Sequence, residues 1–133
     1  MTTWTNLIAV ATGGAVGSVF RYAIAVAAAA IPGSSSLLGT VFVNVLGCAL
    51  IGAFSTYVDI RNTGQETISE HLRLAIQVGF LGGLTTYSTF AAEKAMLFGN
   101  GRIGAGSLYL AANLILGWIV LVASAQGVKS WMN

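Results

Sequence analysis

Charged residues are scarce in this sequence. Only 8% of its 133 residues are Asp, Glu, Lys or Arg, against about 25% in a soluble domain. A water-soluble fold of this length would lack the charge to cover its surface, so lipid must solvate most of it. The single cysteine, Cys48, excludes an intrachain disulfide and any cysteine-based metal motif. It reads as a small helix-packing residue. The six basic residues are scattered and the net charge is only +2. With no basic run or aromatic–basic interleaving, no nucleic-acid partner is expected. No nucleophile–base set, paired intramembrane carboxylates or phosphate loop occurs, so no enzymatic chemistry is expected. The N-terminus lacks the charged segment and small-residue cleavage site of a signal peptide, so the first apolar stretch is expected to be retained.

What is present is mostly apolar, 56% of residues at a mean hydropathy of +0.80. Residues 4–58 contain one charge, Arg21, and the cluster Pro32-Gly33-Ser34-Ser35-Ser36 marks a turn within them. Two spans result, about 4–30 and 37–58, each near the 20 or so residues that cross a hydrocarbon core as a helix. Residues 59–73 are polar, with Arg61, Asn62, Gly64, Glu66 and Glu70, and read as an aqueous loop leading into the next helix. His71 lies beside these charges and reads as solvated. Residues 74–92 are uncharged within a third span of about 70–97, which closes after Glu93 and Lys94. Phe98-Gly99-Asn100-Gly101-Arg102 forms a short turn before a fourth span at about 103–128. The predicted fold is all-α and integral to the membrane: one domain of four transmembrane helices, with Trp4 and Trp131 at the interfaces.

Four spans put both termini on one side, and the basic residues then divide almost evenly. Arg61, Arg73 and Lys129 share the face of the termini, against Lys94 and Arg102 on the other, with Arg21 nearer that second face. Orientation follows an excess of Lys and Arg on one side. Here there is almost none, which is consistent either with insertion both ways round or with a chance near-tie in a fixed topology.

The third span carries the densest signal. From Gly79 to Phe90 it holds three glycines and five hydroxyl residues in twelve positions. Gly82-Gly83 followed by Thr85-Thr86 is a poor helix interior. A broken helix at that depth frees carbonyls that lipid cannot satisfy. It either builds a cation site from carbonyls, as discontinuous transporter helices do, or stays intact and packs closely through its small residues. Tyr87 and Phe90, three apart, share a helix face. Their electropositive ring edges either meet a small anion or simply pack. Asn44 sets an amide well inside the second span, either as glue between helices or as a donor to an anion. Arg21 either snorkels to the interface or lines a wet vestibule. Tyr109, Asn113 and Gly117 are spaced by four along one stripe, and Gly13-Gly14-Ala15-Val16-Gly17 contains a G-x-x-x-G packing device. This polar content suits conduction of an ion better than catalysis.

These residues resemble a known family. Gly13-Gly14-x-x-Gly17-x-x-x-Arg21-Tyr22, Gly39-Thr40-x-x-Val43-Asn44 and the run from Gly79 to Phe90 with Ala91-Ala92-Glu93 are similar to the Fluc/CrcB fluoride channels, the small fluoride exporters of bacteria. The third-span run is the most specific, and the resemblance covers essentially the whole chain. It implies a passive fluoride-selective channel of the bacterial inner membrane that relieves fluoride toxicity. It also implies an antiparallel, dual-topology homodimer embedded in lipid, with a broken third helix and two pores. By motif position, Gly82 and Thr85 would lend backbone carbonyls to a structural sodium ion on the dimer axis. Tyr87 and Phe90 would be the aromatic pair of the fluoride pathway, Asn44 its amide donor and Arg21 a vestibule residue. Ser88, Thr89 and Tyr109 would line the polar track. Two departures stand out: Tyr87 where the family usually has phenylalanine, and Asn113 with Gly117 where the track more often has serines.

The physical logic fits the ion. Fluoride is small and tightly hydrated, and conduction needs sites weak enough to release it, which a neutral polar lining provides. The main rival is a small multidrug-type proton-coupled transporter, which needs a membrane-embedded carboxylate in its first helix, and the first span here has none. A non-transporting assembly subunit would explain the small residues but not a glycine- and hydroxyl-rich stretch beside mid-membrane aromatics.

Overall fold

The computed structural model describes residues 3–64 and 67–132. Glu66, assigned to the polar loop by sequence, lies outside the described residues. Among those described, the chain is all-helical, with no strand. In order, it forms α1 (Trp4–Ala30), α2 (Ser36–Thr63), α3 (Glu70–Arg73), a π-helical segment Leu74–Phe80, α4 (Leu81–Leu84), α5 (Tyr87–Gly99), α6 (Ile103–Ala111), a second π-helical segment Ala112–Leu116, and α7 (Gly117–Met132). Three helices are long and apolar enough to cross a bilayer: Trp4–Ala30, Ser36–Thr63 and Ile103–Met132.

The connections follow from local chemistry. After Ile31 the chain turns through Gly33 at φ 78°, and between α5 and α6 through Gly101 at φ 71°, both left-handed conformations that favour glycine. The polar loop is shorter than the charge pattern implies. α2 continues through Asp59 and Arg61 to Thr63, because these side chains sit at the exposed end of an otherwise apolar helix where nothing breaks the backbone before Gly64.

Two contacts set the architecture. α2 packs along α7, where Gly52 lets the helices meet at the Leu121 carbonyl and Ser124. α1 packs along the first π-helical segment and α4 through glycines on both partners. A Cβ on Gly13 would meet the Ala75 carbonyl and lie 2.9 Å from the Phe80 nitrogen; one on Gly17 would meet the Phe80 carbonyl. From the other side, a Cβ on Gly79 would lie 2.7 Å from the Val10 carbonyl, and one on Gly83 2.6 Å from the Gly14 carbonyl. Small residues allow backbones to approach this closely, the main device for helix association in lipid.

At its start this contact is latched by Asn6. Its amide donates to Glu70 (3.2 Å) and its side-chain oxygen bonds His71 (2.6 Å), so His71, though exposed, is also tied to α1. Two small apolar clusters lie inside: Val43 with Leu81 and Leu84, and Phe90 with Leu97 and Tyr109.

Candidate functional site

The interruption between α4 and α5 organises the site. α4 closes at Leu84, Thr85 (φ −83°, ψ 159°) and Thr86 (φ −151°, ψ 113°) are extended, and α5 opens at Tyr87. The sequence gives the local reason. Gly82-Gly83 weakens the helix, the β-branched threonines prefer extended backbone, and Thr86 is a good N-cap. Its hydroxyl oxygen accepts from the Thr89 N–H at 3.2 Å and donates to the Thr89 hydroxyl at 3.0 Å. On the α4 side, the N–H and the hydroxyl of Thr85 both turn back to the Leu81 carbonyl, at 3.1 and 3.0 Å.

The peptide groups that a helix would have paired are met by side chains from elsewhere. In an unbroken helix the Thr86 N–H would close on the Gly82 carbonyl; here it donates to Asn44 Oδ1 at 2.8 Å. The Asn44 amide then donates to the Thr86 carbonyl at 3.1 Å and to Asn113 Oδ1 at 2.8 Å. The Gly83 carbonyl accepts from Arg21 Nε at 3.0 Å. A buried break is tolerable only when its polar groups are received; Asn44 receives the Thr86 N–H and carbonyl, and Arg21 the Gly83 carbonyl.

Two cavities adjoin the break and share Thr86. One, of about 340 Å³, is lined by residues including Asn44, Gln77, Gly82, Thr85, Tyr87 and Phe90. The other, of about 240 Å³, is lined by residues including Ser18, Arg21, Tyr22, Thr40 and Thr89. Tyr87 stands at the open edge, 76% exposed in the single chain, while Phe90 is buried at 4%. Their rings meet edge-on, centroids 5.7 Å apart at 60°, and Phe90 in turn stacks on Tyr109 at 5.6 Å and a tilt of 38°. Space lies open over Gly82, where a Cβ would touch nothing within 4 Å. At Gly47 the opposite holds: a Cβ would meet the Thr85 methyl, so α2 can approach the break only because this residue is glycine.

The comparison that decides the family is a match to the model described as CrcB-like protein, Camphor Resistance (CrcB), over residues 8–125. The chain belongs to the CrcB family. Its similarity to curated CrcB-family relatives runs nearly end to end. It is 37% identical to the fluoride-specific ion channel FluC of Rhodopirellula baltica, with all of both chains covered. It is 40% identical to that of Rhizobium johnstonii over 92% of this chain and 95% of the relative. With FluC 1 of Nitrobacter hamburgensis the identity is 35% over 95% and 97%. With this family and three bilayer-length apolar helices, the chain is a multi-pass membrane protein.

Against that CrcB frame, the residues singled out by sequence fall into two groups. Asn44, Gly82, Thr85, Tyr87 and Phe90 line the larger cavity, whereas Arg21 and Thr89 line the smaller. Ser88 stays exposed at the start of α5, with its hydroxyl 3.4 Å from that of Thr86. Tyr109 is buried beside Phe90 and donates to Glu93 Oε2. Of its two alternative readings Asn44 shows the glue: both of its N–H donors and its carbonyl are bonded to Thr86 and Asn113. Sequence reasoning treated Thr86 only as part of the hydroxyl run and of the Gly-Gly…Thr-Thr weak point, yet both cavities meet at it and both of its peptide groups are bound by Asn44. Its signal was the position after Gly-Gly-Leu-Thr, with Thr89 three residues on to be capped. The role of Gln77, which donates to Ser55 at 3.1 Å, had no local signal.

Proposed function

We propose that this protein is a passive, fluoride-selective channel that lets fluoride leave the bacterial cytoplasm. The observation that carries the reading is the pair of edge-on rings, Tyr87 and Phe90, beside a polar break whose peptide groups are held by neutral and charged side chains. Its relatives' names, fluoride-specific ion channel FluC, support the same ion. Fluoride would pass the electropositive ring edges, with Thr89, Ser88 and Tyr109 along the track, Asn44 at its inner end and Arg21 toward the vestibule. Such a lining binds an anion without a dedicated fixed charge in its path, so release stays fast.

Four spans with a discontinuous third helix, assembled as an antiparallel pair of identical chains, complete the reading. An aromatic 76% exposed beside a polar cavity is better suited to a subunit contact than to lipid. A structural sodium on the axis of that pair fits the donor set. Hard cations take carbonyl oxygens; Gly82 has lost its helical donor to Asn44 and lies beside open space, and Thr85 adjoins it. The carbonyls of Gly82 and Thr85 would hold the ion.

Liposomes containing only this purified protein test the function. Loaded with fluoride, they should empty under a potassium–valinomycin potential, while chloride-loaded ones retain their content. Equal chloride release, or a strict requirement for a proton gradient, would sink the channel reading. Dual topology has its own test. C-terminal reporter fusions should give cytoplasmic and periplasmic populations, and one Lys added to a loop should shift their ratio, because the starting division of charge is three to two. A single fixed orientation would remove the antiparallel homodimer.

A further inference from the structure

We infer that Asn113 is a positioning residue for the break between α4 and α5, acting through Asn44. The argument begins with the inventory of a primary amide, which has two N–H donors and one carbonyl. In Asn44 all three are in use: one N–H on the Thr86 carbonyl, the other on Asn113 Oδ1, and the carbonyl on the Thr86 N–H. Asn44 thus clips both faces of one extended peptide. The clip works in one orientation only. Turned over, the amide would present its NH2 to the Thr86 N–H and its oxygen to the Thr86 carbonyl, replacing two attractive pairs with two repulsive ones.

Asn113 sets that orientation from behind. Its own NH2 donates to the Tyr109 carbonyl at 3.0 Å, so its oxygen must face Asn44, and an oxygen there can be met only by the Asn44 NH2. Each link leaves one choice for the next. Asn113 is 7% exposed, and it lies in the second π-helical segment, where the helix is locally widened. Such segments are rare and frequently mark functional positions. The residue is also one of the two fourth-span positions where this chain departs from the usual serine. A serine hydroxyl is shorter than an asparagine side chain and would not supply the same acceptor to Asn44. The relay therefore runs Tyr109 carbonyl, Asn113, Asn44, Thr86, from the last span into the break. Because both Asn44 donors are committed, the amide acts on an ion by holding Thr86 in place.

This inference deepens the channel reading and rests on it for its functional meaning, but its test does not. Hydrogen exchange of the peptide covering residues 82–90, measured on the purified full-length protein without fluoride, reads the clip directly. Loss of a buried hydrogen bond is worth about 0.5–1.5 kcal/mol, so Asn113→Ser should raise exchange there about two- to tenfold. Asn113→Leu, which fills the same space without polar atoms, should do the same. Either variant suffices if the other does not fold. The effect should vanish or change sign in an Asn44→Asp background, where the carboxylate has no N–H for residue 113 to orient and sets an oxygen against Asn113 Oδ1 instead. Unchanged exchange in both variants, or an equal effect in the Asn44→Asp background, would overturn the inference. Fluoride flux is measured in parallel. If wild-type flux is absent while exchange responds, the channel reading fails and the clip stands.

Discussion

Gly17→Ala is expected to prevent α1 from seating on α4, whereas Gly14→Ala, three residues away in the same glycine cluster, is expected to be tolerated. A Cβ at Gly17 would run into the Phe80 carbonyl and lie 3.0 Å from the Leu84 nitrogen, both backbone atoms that cannot swing aside. The contact nearest a Cβ at Gly14 is the Gly79 carbonyl at 3.8 Å, an ordinary van der Waals distance. Overpacking costs about 1–3 kcal/mol or more, and here the displacement also pulls Arg21, one helical turn further on, off the Gly83 carbonyl. The measurement is thermal stability and monodispersity in detergent, with fluoride flux alongside. Gly17→Ala should lower the melting temperature by many degrees and abolish flux, with Gly14→Ala close to wild type. Matching behaviour of the two variants would contradict the face assigned to α1.

The second large effect concerns the aromatic pair. Tyr87→Phe is expected to keep conduction, while Tyr87→Ile reduces it by at least about tenfold, equivalent to roughly 1.4 kcal/mol on the barrier. Isoleucine keeps apolar bulk but lacks the electropositive ring edge. If the hydroxyl were instead the donor, Tyr87→Phe would itself slow flux several-fold, the cost of a hydrogen bond worth about 0.5–1.5 kcal/mol. The ring is 76% exposed in the single chain, so its replacement leaves the packing of that chain almost untouched. Phe90→Ile is the harsher control. Phe90 is buried against Leu97 and Tyr109, so this variant should lose stability as well as flux. Wild-type flux from Tyr87→Ile would take Tyr87 out of the pathway and leave Phe90 as the only aromatic in it.

How far the sequence reached depends on the range of the interaction. Composition alone dictated a membrane solvent, because 8% charge cannot cover a soluble surface. The weak helix formers of the third span pointed to the neighbourhood where Thr85 and Thr86 are extended, because that preference is local to the backbone. What holds those residues was not legible. Asn44 and Asn113 are 69 positions apart, and Arg21 and Gly83 are 62 apart, so no periodicity connects them. Sequence left Asn44 between glue and donor because an amide suits both; only its partners decide. The π-helical segments were also invisible. Leu74–Phe80 and Ala112–Leu116 are apolar apart from Gln77 and Asn113, and nothing in their local sequence marks a widened helix. The end of the second helix was misjudged for a simpler reason: charge marks where water begins, whereas α2 continues beyond that point.

The two extended residues also change the electrostatics of the helices they separate, α4 and α5. An uninterrupted helix carries about half an elementary charge of opposite sign at its two distant ends. With Thr85 and Thr86 out of the helix, the negative terminus of α4 and the positive terminus of α5 lie only two residues apart in the chain. One interruption therefore presents attraction for a cation and for an anion within a few ångströms, with almost no net charge between them. In the antiparallel pair proposed above, the second copy would bring the same two termini in reverse order and so present an anion with the same sequence of potentials from either side of the membrane.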